Sequence, residues 1–475
     1  MAAHTLVHAG IPVTMLESGS AVQRGLQVRI AGKSVYRHVP KLQNATDYLA
    51  TGDPNTRWFR NFAPGGLSNQ WTGAVPRFAP QDFTDGERLD ARYRWPIRYG
   101  DIAAYYAAAE RLMMIWASAR DVPGLPAAEV MRQLELPTDW RKVAEVAAKH
   151  GQGLTMLPLA EGHGRSISLF GTGFNSYPCL VGPLLRRKNF ELIKGAHALQ
   201  VEWSPAKRRA IGVVYQSRHD GSRHRIETAA VVVTCGPLQS TKLLFDSACD
   251  DFPNGLGNSR GLLGKYLHDH PKEWWAFDAD RPLTLLSPSA YLTRPPYYST
   301  PPLTGNSWTL GVASTEDRVR SRFGGKGLAV GVQVFGMMTP TPDNYVRPSA
   351  ECKDEFGMPG LEVCIRFDQN TACNMSHARE HLLTLMDEAG YRCISRSVEP
   401  QLTPGSAVHY GGTTRMHESP EFGVLDAWNR VYDAPNVLVC DAGCFTTGPE
   451  KNPTLTVMAI AARAADQLAA DLAAK

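Results

Sequence analysis

The last quarter of the chain constrains its fold more than any other stretch. A short histidine-containing loop at residues 409–413 precedes an apolar run at 436–442, which predicts a buried strand ending near Asp441. Asn452 and Pro453 then form a typical helix start, because asparagine is a favoured N-cap and proline fits the first helical position. The helix is predicted to continue almost to the end of the chain. Its amino terminus carries unpaired N–H groups and the positive end of the helix dipole, so we expect an anionic group beside it.

This region contains four short blocks: His409-Tyr410-Gly411-Gly412-Thr413-Thr414-Arg415-Met416, Gly423-Val424-Leu425-Asp426, Asn436-Val437-Leu438-Val439-Cys440-Asp441-Ala442 and Asn452-Pro453-Thr454-Leu455-Thr456. In that order they resemble the carboxyl-terminal end of the glucose–methanol–choline (GMC) flavoprotein oxidoreductases. The resemblance implies that His409 and Asn452 are catalytic and face a flavin. It also implies cofactor contacts at Asp441, Ala442, Pro453 and Thr454. Because the two catalytic residues are far apart in sequence, only the folded chain can bring them together.

The amino-terminal residues predict part of a dinucleotide-binding fold. Residues 2–10 have the pattern of the second half of a helix closed by Gly10, and residues 11–16 predict a strand that ends at Glu17. An acidic residue at this place binds ribose hydroxyls, so Glu17 is expected to bind the cofactor. The first strand and its G-x-G-x-x-G turn should come just before residue 1. We therefore expect that Met1 is an internal methionine or a truncation point, that the natural reading frame extends upstream, and that the chain as written folds poorly and binds FAD poorly.

A glycine-rich loop carries a further block, Gly65-Gly66-Leu67-Ser68-Asn69-Gln70-Trp71-Thr72-Gly73-Ala74-Val75-Pro76-Arg77-Phe78. It resembles the flavin-approach loop of the GMC family and is most similar to that of pyranose oxidases. The resemblance implies that Ser68, Asn69 and Thr72 contact FAD, and that Ala198 lies against the adenine. Those oxidases carry a histidine at the position of Gln70, through which the flavin is attached. An amide cannot form that bond, so non-covalent FAD is expected.

The remaining patterns predict an α/β fold, α+β overall, with two domains. The continuous apolar run at 230–234 suits a buried parallel strand, and the β-branched and aromatic runs at 329–335 and 361–367 indicate an antiparallel sheet. With the resemblance, a discontinuous Rossmann-like FAD-binding domain is expected. It would consist of residues 1–85, 186–275 and 401–475, with the antiparallel substrate domain formed by residues 86–185 and 276–400.

Capping residues predict two further helices. Asp101 is expected to cap a helix that continues to Trp116, whose apolar stripe indicates core packing. Ser376 is expected to cap a second helix through Glu388, which Gly390 ends.

Composition excludes several functional classes. The chain has 475 residues, 43% hydrophobic and 20% charged, and a net charge of +4, which gives no argument for nucleic-acid binding. Its apolar runs are shorter than the roughly 18 residues of a membrane span. Nine cysteines without a C-x-x-C pair favour reduced thiols and a cytoplasmic location. The sequence specifies neither the oligomeric state nor the electron acceptor.

Two histidine motifs have a competing interpretation. His268-Asp269-His270 has the residue types of a metal site, but tetrahedral sites need three or four ligands, and the sequence nearby offers no ligand cluster. We therefore predict no metal and interpret the motif as a polar loop similar to that of the GMC family. His417 stands where that family usually has glycine, and it is expected in a surface loop.

The chemistry follows from the resemblance. Oxidising an alcohol removes a hydride from carbon, which flavin N5 accepts, and a proton from oxygen, which needs a base. His409 suits the base, and Asn452 can hold the same hydroxyl. The favoured function is therefore an FAD-dependent oxidoreductase acting on the CH–OH group of an alcohol, with a sugar or glycoside indicated by residues 68–78. A flavin-containing lyase and a non-catalytic or truncated remnant are the alternatives.

Overall fold

Helices and short strands alternate along the chain. The computed structural model describes residues 1–20, 43–160, 174–279, 283, 289–314, 328–396 and 402–474. Within these ranges the helices are α1 (Ala2–His8), α2 (Tyr99–Met113), α3 (Thr138–Lys149), α4 (Pro237–Asp246), α5 (Gln369–Glu388) and α6 (Thr454–Ala473), with a single turn at Gly182–Leu184. The strands are β1 (Val13–Glu17), β2 (Gln43–Asn44), β3 (Tyr48–Ala50), β4 (Phe59–Arg60), β5 (Ile115–Ala117), β6 (Arg132–Gln133), β7 (Leu154–Met156), β8 (Leu159–Ala160), β9 (Phe190–Lys194), β10 (Ala196–Ser204), β11 (Arg209–Ser217), β12 (Arg223–Glu227), β13 (Val231–Val233), β14 (Lys272–Ala279), β15 (Ala290–Leu292), β16 (Asn306–Ser314), β17 (Leu328–Gly336), β18 (Tyr345–Lys353), β19 (Pro359–Cys364), β20 (Tyr391–Arg396), β21 (Arg430–Val431) and β22 (Ala434–Val439).

Parallel strands form the Rossmann-like side of the molecule. β1 pairs in parallel with β9, and β13 pairs in parallel with β22. Helices α1 and α6 pack beside them, because their apolar faces share one core cluster with β22. A cavity of about 790 Å³ is lined by residues of β1, β13, α1 and α6. The predicted strand ending at Glu17 and the predicted buried strand near residues 230–234 are both confirmed.

The largest sheet is antiparallel and has six strands in the order β20-β14-β17-β16-β15-β7. Helices α3 and α5 pack against it around the buried side chains of Trp140, Trp308 and Leu382. This confirms the predicted antiparallel sheet, while the predicted domain boundaries stay a prediction. β14 begins two residues after His270, and an isolated bridge joins His268 to Gly411. The sheet therefore ends beside the loop that carries His409.

Smaller sheets complete the described ranges. β10, β11 and β12 form an antiparallel sheet, β3 adds to the β18–β19 hairpin, and β5 lies between β6 and β8. β2 pairs with β4, and β21 pairs with β22. No helix in the described part of the chain is long and apolar enough to cross a membrane.

Two predicted helix starts are wrong. Helix α2 begins at Tyr99, and Asp101 is its third residue, where its carboxylate accepts the N–H of Arg98 at 2.6 Å. Helix α5 begins seven residues before Ser376, because Asp368 accepts the N–H of Thr371 at 2.8 Å. In each case a carboxylate satisfies an amide at the helix start, but the pattern did not show which turn comes first.

The start of α6 also differs from the prediction. The helix begins at Thr454, and Pro453 is the N-cap residue, whose carbonyl accepts the N–H of Val457 at 3.0 Å. No side chain caps this helix. The predicted N-cap role of Asn452 is therefore wrong. Its side chain lies beside His409 instead.

Candidate active site

The backbone that carries His409 is fixed by a buried carboxylate. Asp269 accepts the N–H of His409 through Oδ1 at 2.8 Å and the N–H of Gly405 through Oδ2, also at 2.8 Å. Between these residues, Val408 has a φ of 62°, a left-handed conformation that β-branched residues rarely adopt. The two bonds to one carboxylate hold this turn and thereby fix the backbone from which the His409 side chain extends.

The His409 imidazole lies between two other polar side chains. Its Nε2 is 3.2 Å from Nδ2 of Asn452, and its Nδ1 is 3.0 Å from Nδ1 of His270. The Phe335 ring lies alongside, with its centroid 5.4 Å from that of His409. We call His270, His409 and Asn452 the neutral cluster. The structure thus brings the two predicted catalytic residues together. Because the Asn452 amide does not cap α6, it remains able to hold a ligand hydroxyl.

The surroundings of the neutral cluster disfavour positive charge. Burial, followed by the nearby His270 and Lys272, lowers the pKa of His409 well below its ordinary value. Burial also lowers the pKa of His270 to about 4, and it raises the pKa of Asp269 to about 6. Both imidazoles are therefore uncharged at neutral pH, and a neutral imidazole can accept a proton.

A second polar group includes Glu450 and Lys451, the two residues before Asn452, and is ionic. Lys451 contacts Glu450 at 2.6 Å and Asp82 at 2.9 Å, and all three side chains are fully buried. The buried guanidinium of Arg294 lies 3.5 Å from Asp85 and 3.6 Å from Glu450. Burial opposes the charge of Lys451, but Asp82 and Glu450 raise its pKa well above the ordinary value. We call these five residues the ionic cluster.

The predicted adenosine-side residues lie at and near the cavity. Ala198 on β10 is part of the cavity wall. Glu17 ends β1, and its Oε1 accepts the N–H of Gly19 at 2.7 Å. Burial raises the pKa of Glu17, an effect that the Gly19 bond partly offsets.

The glycine-rich loop forms a short 3₁₀ helix at Gly66–Asn69. The Ser68 hydroxyl donates to the Gly65 carbonyl and accepts the N–H of Ser176 at 3.0 Å, while Asn69 accepts from Asn175. These side chains hold the loop itself. Thr72, which follows, is exposed.

The remaining predicted cofactor residues lie between β22 and α6. Asp441 accepts the N–H groups of Gly443 at 2.8 Å and Gly236 at 3.2 Å and a bond from Ser240, so both carboxylate oxygens have protein partners. Burial raises its pKa to about 6. Ala442 begins the 3₁₀ turn Ala442–Cys444. Pro453 and Thr454, both half-buried, open α6.

These residues fit a bound FAD. Gly66 and Gly236 have positive φ values, 51° and 88°, and a Cβ atom built on either would meet nothing within 4 Å. Both glycines therefore leave their backbone open to close approach by a ligand. Gly236 also stands at the carboxyl end of β13 and at the start of α4, where parallel-sheet proteins bind nucleotides. The cavity and the unpaired first-turn amides of α6 supply room and positive dipoles for an anionic cofactor.

Sequence reasoning missed two residues of the site. Asp269 and His270 were assigned only to a polar loop, yet one holds the His409 backbone and the other its ring. The signal was the His-Asp-His motif, which in the described residues joins no group of three possible metal ligands. The expectation for His417 was wrong, because it is 2% exposed. Its ring bonds to the carbonyl of Ala91 at 3.0 Å and accepts the N–H of Ser419 at 2.9 Å.

Two family sequence profiles match the chain. Both are described as GMC oxidoreductase, and they match residues 139–272 and 340–461. This chain belongs to the GMC oxidoreductase family. The predicted family, the Rossmann-like fold with an antiparallel substrate sheet, and the predicted FAD-dependent oxidation of CH–OH groups are thereby confirmed.

Individual relatives cover nearly the whole chain. The 6‴-hydroxyparomomycin C oxidase of Streptomyces lividus is 28% identical over 505 residues, which span 100% of this chain and 90% of that protein. The 2-methyl-1,2-propanediol dehydrogenase of Mycolicibacterium austroafricanum is 26% identical over 98% of this chain and 92% of its own length. Among solved structures, pyridoxine 4-oxidase from Mesorbium loti superposes with a TM-score of 0.67 at 20% identity, over 98% of this chain and 96% of that one.

Proposed function

We propose that this protein oxidises the CH–OH group of a sugar-like alcohol, with His409 as the base and Asn452 as the residue that orients the hydroxyl. The observation that carries the proposal is the 3.2 Å approach of His409 Nε2 to Asn452 Nδ2. A hydroxyl that replaces this direct contact would donate its proton to Nε2 and accept the amide hydrogen of Asn452. One oxygen atom would then be held at two points, which fixes the direction of its C–H bond.

Each residue has a separate task in this proposal. His409, neutral because of its burial, takes the hydroxyl proton at Nε2. Asn452 cannot take a proton and only orients the oxygen. Bound FAD supplies the hydride acceptor. The amino terminus of α6, at Pro453 and Thr454, stabilises negative charge that develops nearby.

The predicted cofactor residues divide between contact and support. We propose that Glu17 binds the ribose, that Ala198 lies against the adenine, and that Thr72 lies near the reactive edge of the flavin. Ser68, Asn69 and Asp441 hold the surrounding backbone through the bonds described above, and the Ala442 carbonyl accepts the N–H of Gly412 at 3.3 Å. Gln70 leaves the flavin non-covalently bound, since an amide forms no such link.

The substrate class rests on the relatives and on the loop at residues 65–78. The relatives include oxidases of 6‴-hydroxyparomomycin C, of paromamine and of C-glycosides, and a dehydrogenase of 2-methyl-1,2-propanediol. We therefore propose a sugar or glycoside hydroxyl as the substrate group. The absence of disulfides among the cysteines of the described ranges supports a cytoplasmic location.

The proposal is tested with the flavin-loaded enzyme. Sugars, aminoglycosides and small diols are added without oxygen, and bleaching of the flavin absorbance identifies the substrate. Turnover without bleaching would instead support the lyase alternative. On the identified substrate, His409→Ala should lower turnover at least about a hundredfold, the usual contribution of a general base.

The matched control is His377→Ala, which removes an exposed histidine on α5. It should leave both turnover and flavin content unchanged. Flavin content of His409→Ala should equal that of wild type, because the ring is not a predicted cofactor ligand. Unchanged turnover in a fully flavin-loaded His409→Ala enzyme would show that the base is another residue.

A further inference from the structure

The contact between His270 and His409 constrains where the protons are. The two Nδ1 atoms are 3.0 Å apart, so one of them donates a hydrogen and the other accepts it. On the other side of His409, the atom that faces Nε2 is the Asn452 amide nitrogen, which can only donate. Nε2 of His409 is therefore the acceptor and carries no hydrogen. The hydrogen of the neutral His409 ring must then lie on Nδ1.

The same argument extends to His270. Because His409 donates through Nδ1, the Nδ1 of His270 accepts and is unprotonated. Its hydrogen then lies on Nε2, and the ring bonds to the Pro449 carbonyl, which raises the pKa of His270 against the lowering by burial. The chain of donors and acceptors is consistent from Pro449 to Asn452.

We propose that His270 is a positioning residue that holds His409 in its Nδ1-protonated tautomer and so presents the Nε2 lone pair to the substrate hydroxyl. The inference rests on the proposed role of His409 as base. In an imidazole, the hydrogen bond made by one nitrogen decides whether the other is available as a base. Without the His270 acceptor, the His409 proton can move to Nε2, where it would block proton transfer from the substrate.

Two variants of His270 test this proposal, because they carry the same amide group at different distances from the backbone. In His270→Asn the side-chain oxygen lies near the former Nδ1, so the acceptor for His409 is kept. In His270→Gln the amide extends to the region of the former Nε2, so the Pro449 bond is kept and the acceptor is lost. A role in folding alone would affect both variants similarly, whereas the tautomer role separates them.

The first measurement is the tautomer of His409, read by ¹⁵N NMR of histidine-labelled protein and assigned with His409→Gln. Wild type and His270→Asn should show a protonated Nδ1 and an unprotonated Nε2 on His409. His270→Gln should shift the population toward protonated Nε2. A protonated Nε2 in wild type, or an unchanged tautomer in His270→Gln, would overturn the proposal.

The second measurement is the rate of flavin reduction by substrate. It should fall about tenfold or more in His270→Gln, which loses the acceptor for His409. In His270→Asn, which keeps that acceptor, it should remain within a few-fold of wild type. Equal rates in the two variants would overturn the proposal. If His409→Ala is fully active, the proposed base has failed. If His409 is essential but its tautomer does not depend on residue 270, only the positioning role has failed.

Discussion

The neutral cluster contains Asn452, the ionic cluster contains the two residues before it, and the two clusters follow opposite physical rules. In the neutral cluster, each imidazole is uncharged and each contact can be made by one donor and one acceptor. In the ionic cluster, Lys451 keeps its charge in a buried site because two carboxylates lie within 3 Å of its ammonium nitrogen. Glu450, Lys451 and Asn452 are consecutive, yet two anchor the segment and the third reaches the candidate base.

Because of this difference, we expect the ionic cluster to act mainly on stability and the neutral cluster to act mainly on catalysis. Removing one partner of a buried ion pair leaves the other charge uncompensated, so the ionic cluster should determine the free energy of unfolding. A neutral hydrogen bond contributes much less to stability, but it decides the position of a proton. Substitutions in the two clusters should therefore produce different defects.

The largest effect is expected for Lys451→Met. Loss of the ammonium group leaves Asp82 buried without its cation and leaves Glu450 with only the more distant Arg294, 3.6 Å away. This should lower the free energy of unfolding by about 3–5 kcal/mol in urea denaturation. Lys149→Met, which removes an exposed lysine at the end of α3, is the control and should change it little. A loss below about 1 kcal/mol would contradict the assigned role of the ionic cluster.

The pH dependence of stability should be the next largest effect. The pKa of His270 is about 4 in the folded protein against an ordinary value of 6.5, so the unfolded chain binds this proton more readily between those values. Stability should thus decrease as pH falls from 6.5 to about 4. In His270→Asn this decrease should be smaller by on the order of 2 kcal/mol.

The measurement compares denaturation curves of both proteins at several pH values in this window. Asp269, whose pKa is raised to about 6, acts in the opposite direction. Ionising it as pH rises costs stability, but it is present in both proteins and cancels in the difference. Identical pH dependences would show that His270 does not resist protonation in the fold.

The smallest effect is expected for Asn452→Ala. Flavin reduction should slow about tenfold, less than for His409→Ala, because the amide orients the hydroxyl but takes no proton. The double variant should lose less than the product of the single losses, since both groups act on one oxygen. Asn254→Ala, at an exposed position, is the control. Fully multiplicative losses would show that Asn452 and His409 do not act on the same oxygen.

Much of the architecture could be predicted from local patterns. Strand β1 ending at Glu17, the buried strand β13 and the antiparallel sheet follow from hydrophobic patterning. Helix starts were less predictable. Asp101 lies in the first turn of α2, as its third residue, and Ser376 lies well inside α5, because several polar residues near a helix start can accept the same amide bonds.

The sequence by itself determined the family, the cofactor class and the residue types of the site, because these are written in contiguous blocks such as 409–416 and 452–456. Only the tertiary structure decided what Asn452 contacts and what His270 does. His270 and His409 are 139 residues apart, and their hydrogen bond depends on the Asp269 carboxylate that fixes the turn at Val408. Local patterns report which backbone a segment prefers, whereas the partner of a buried polar side chain is set by how distant segments pack.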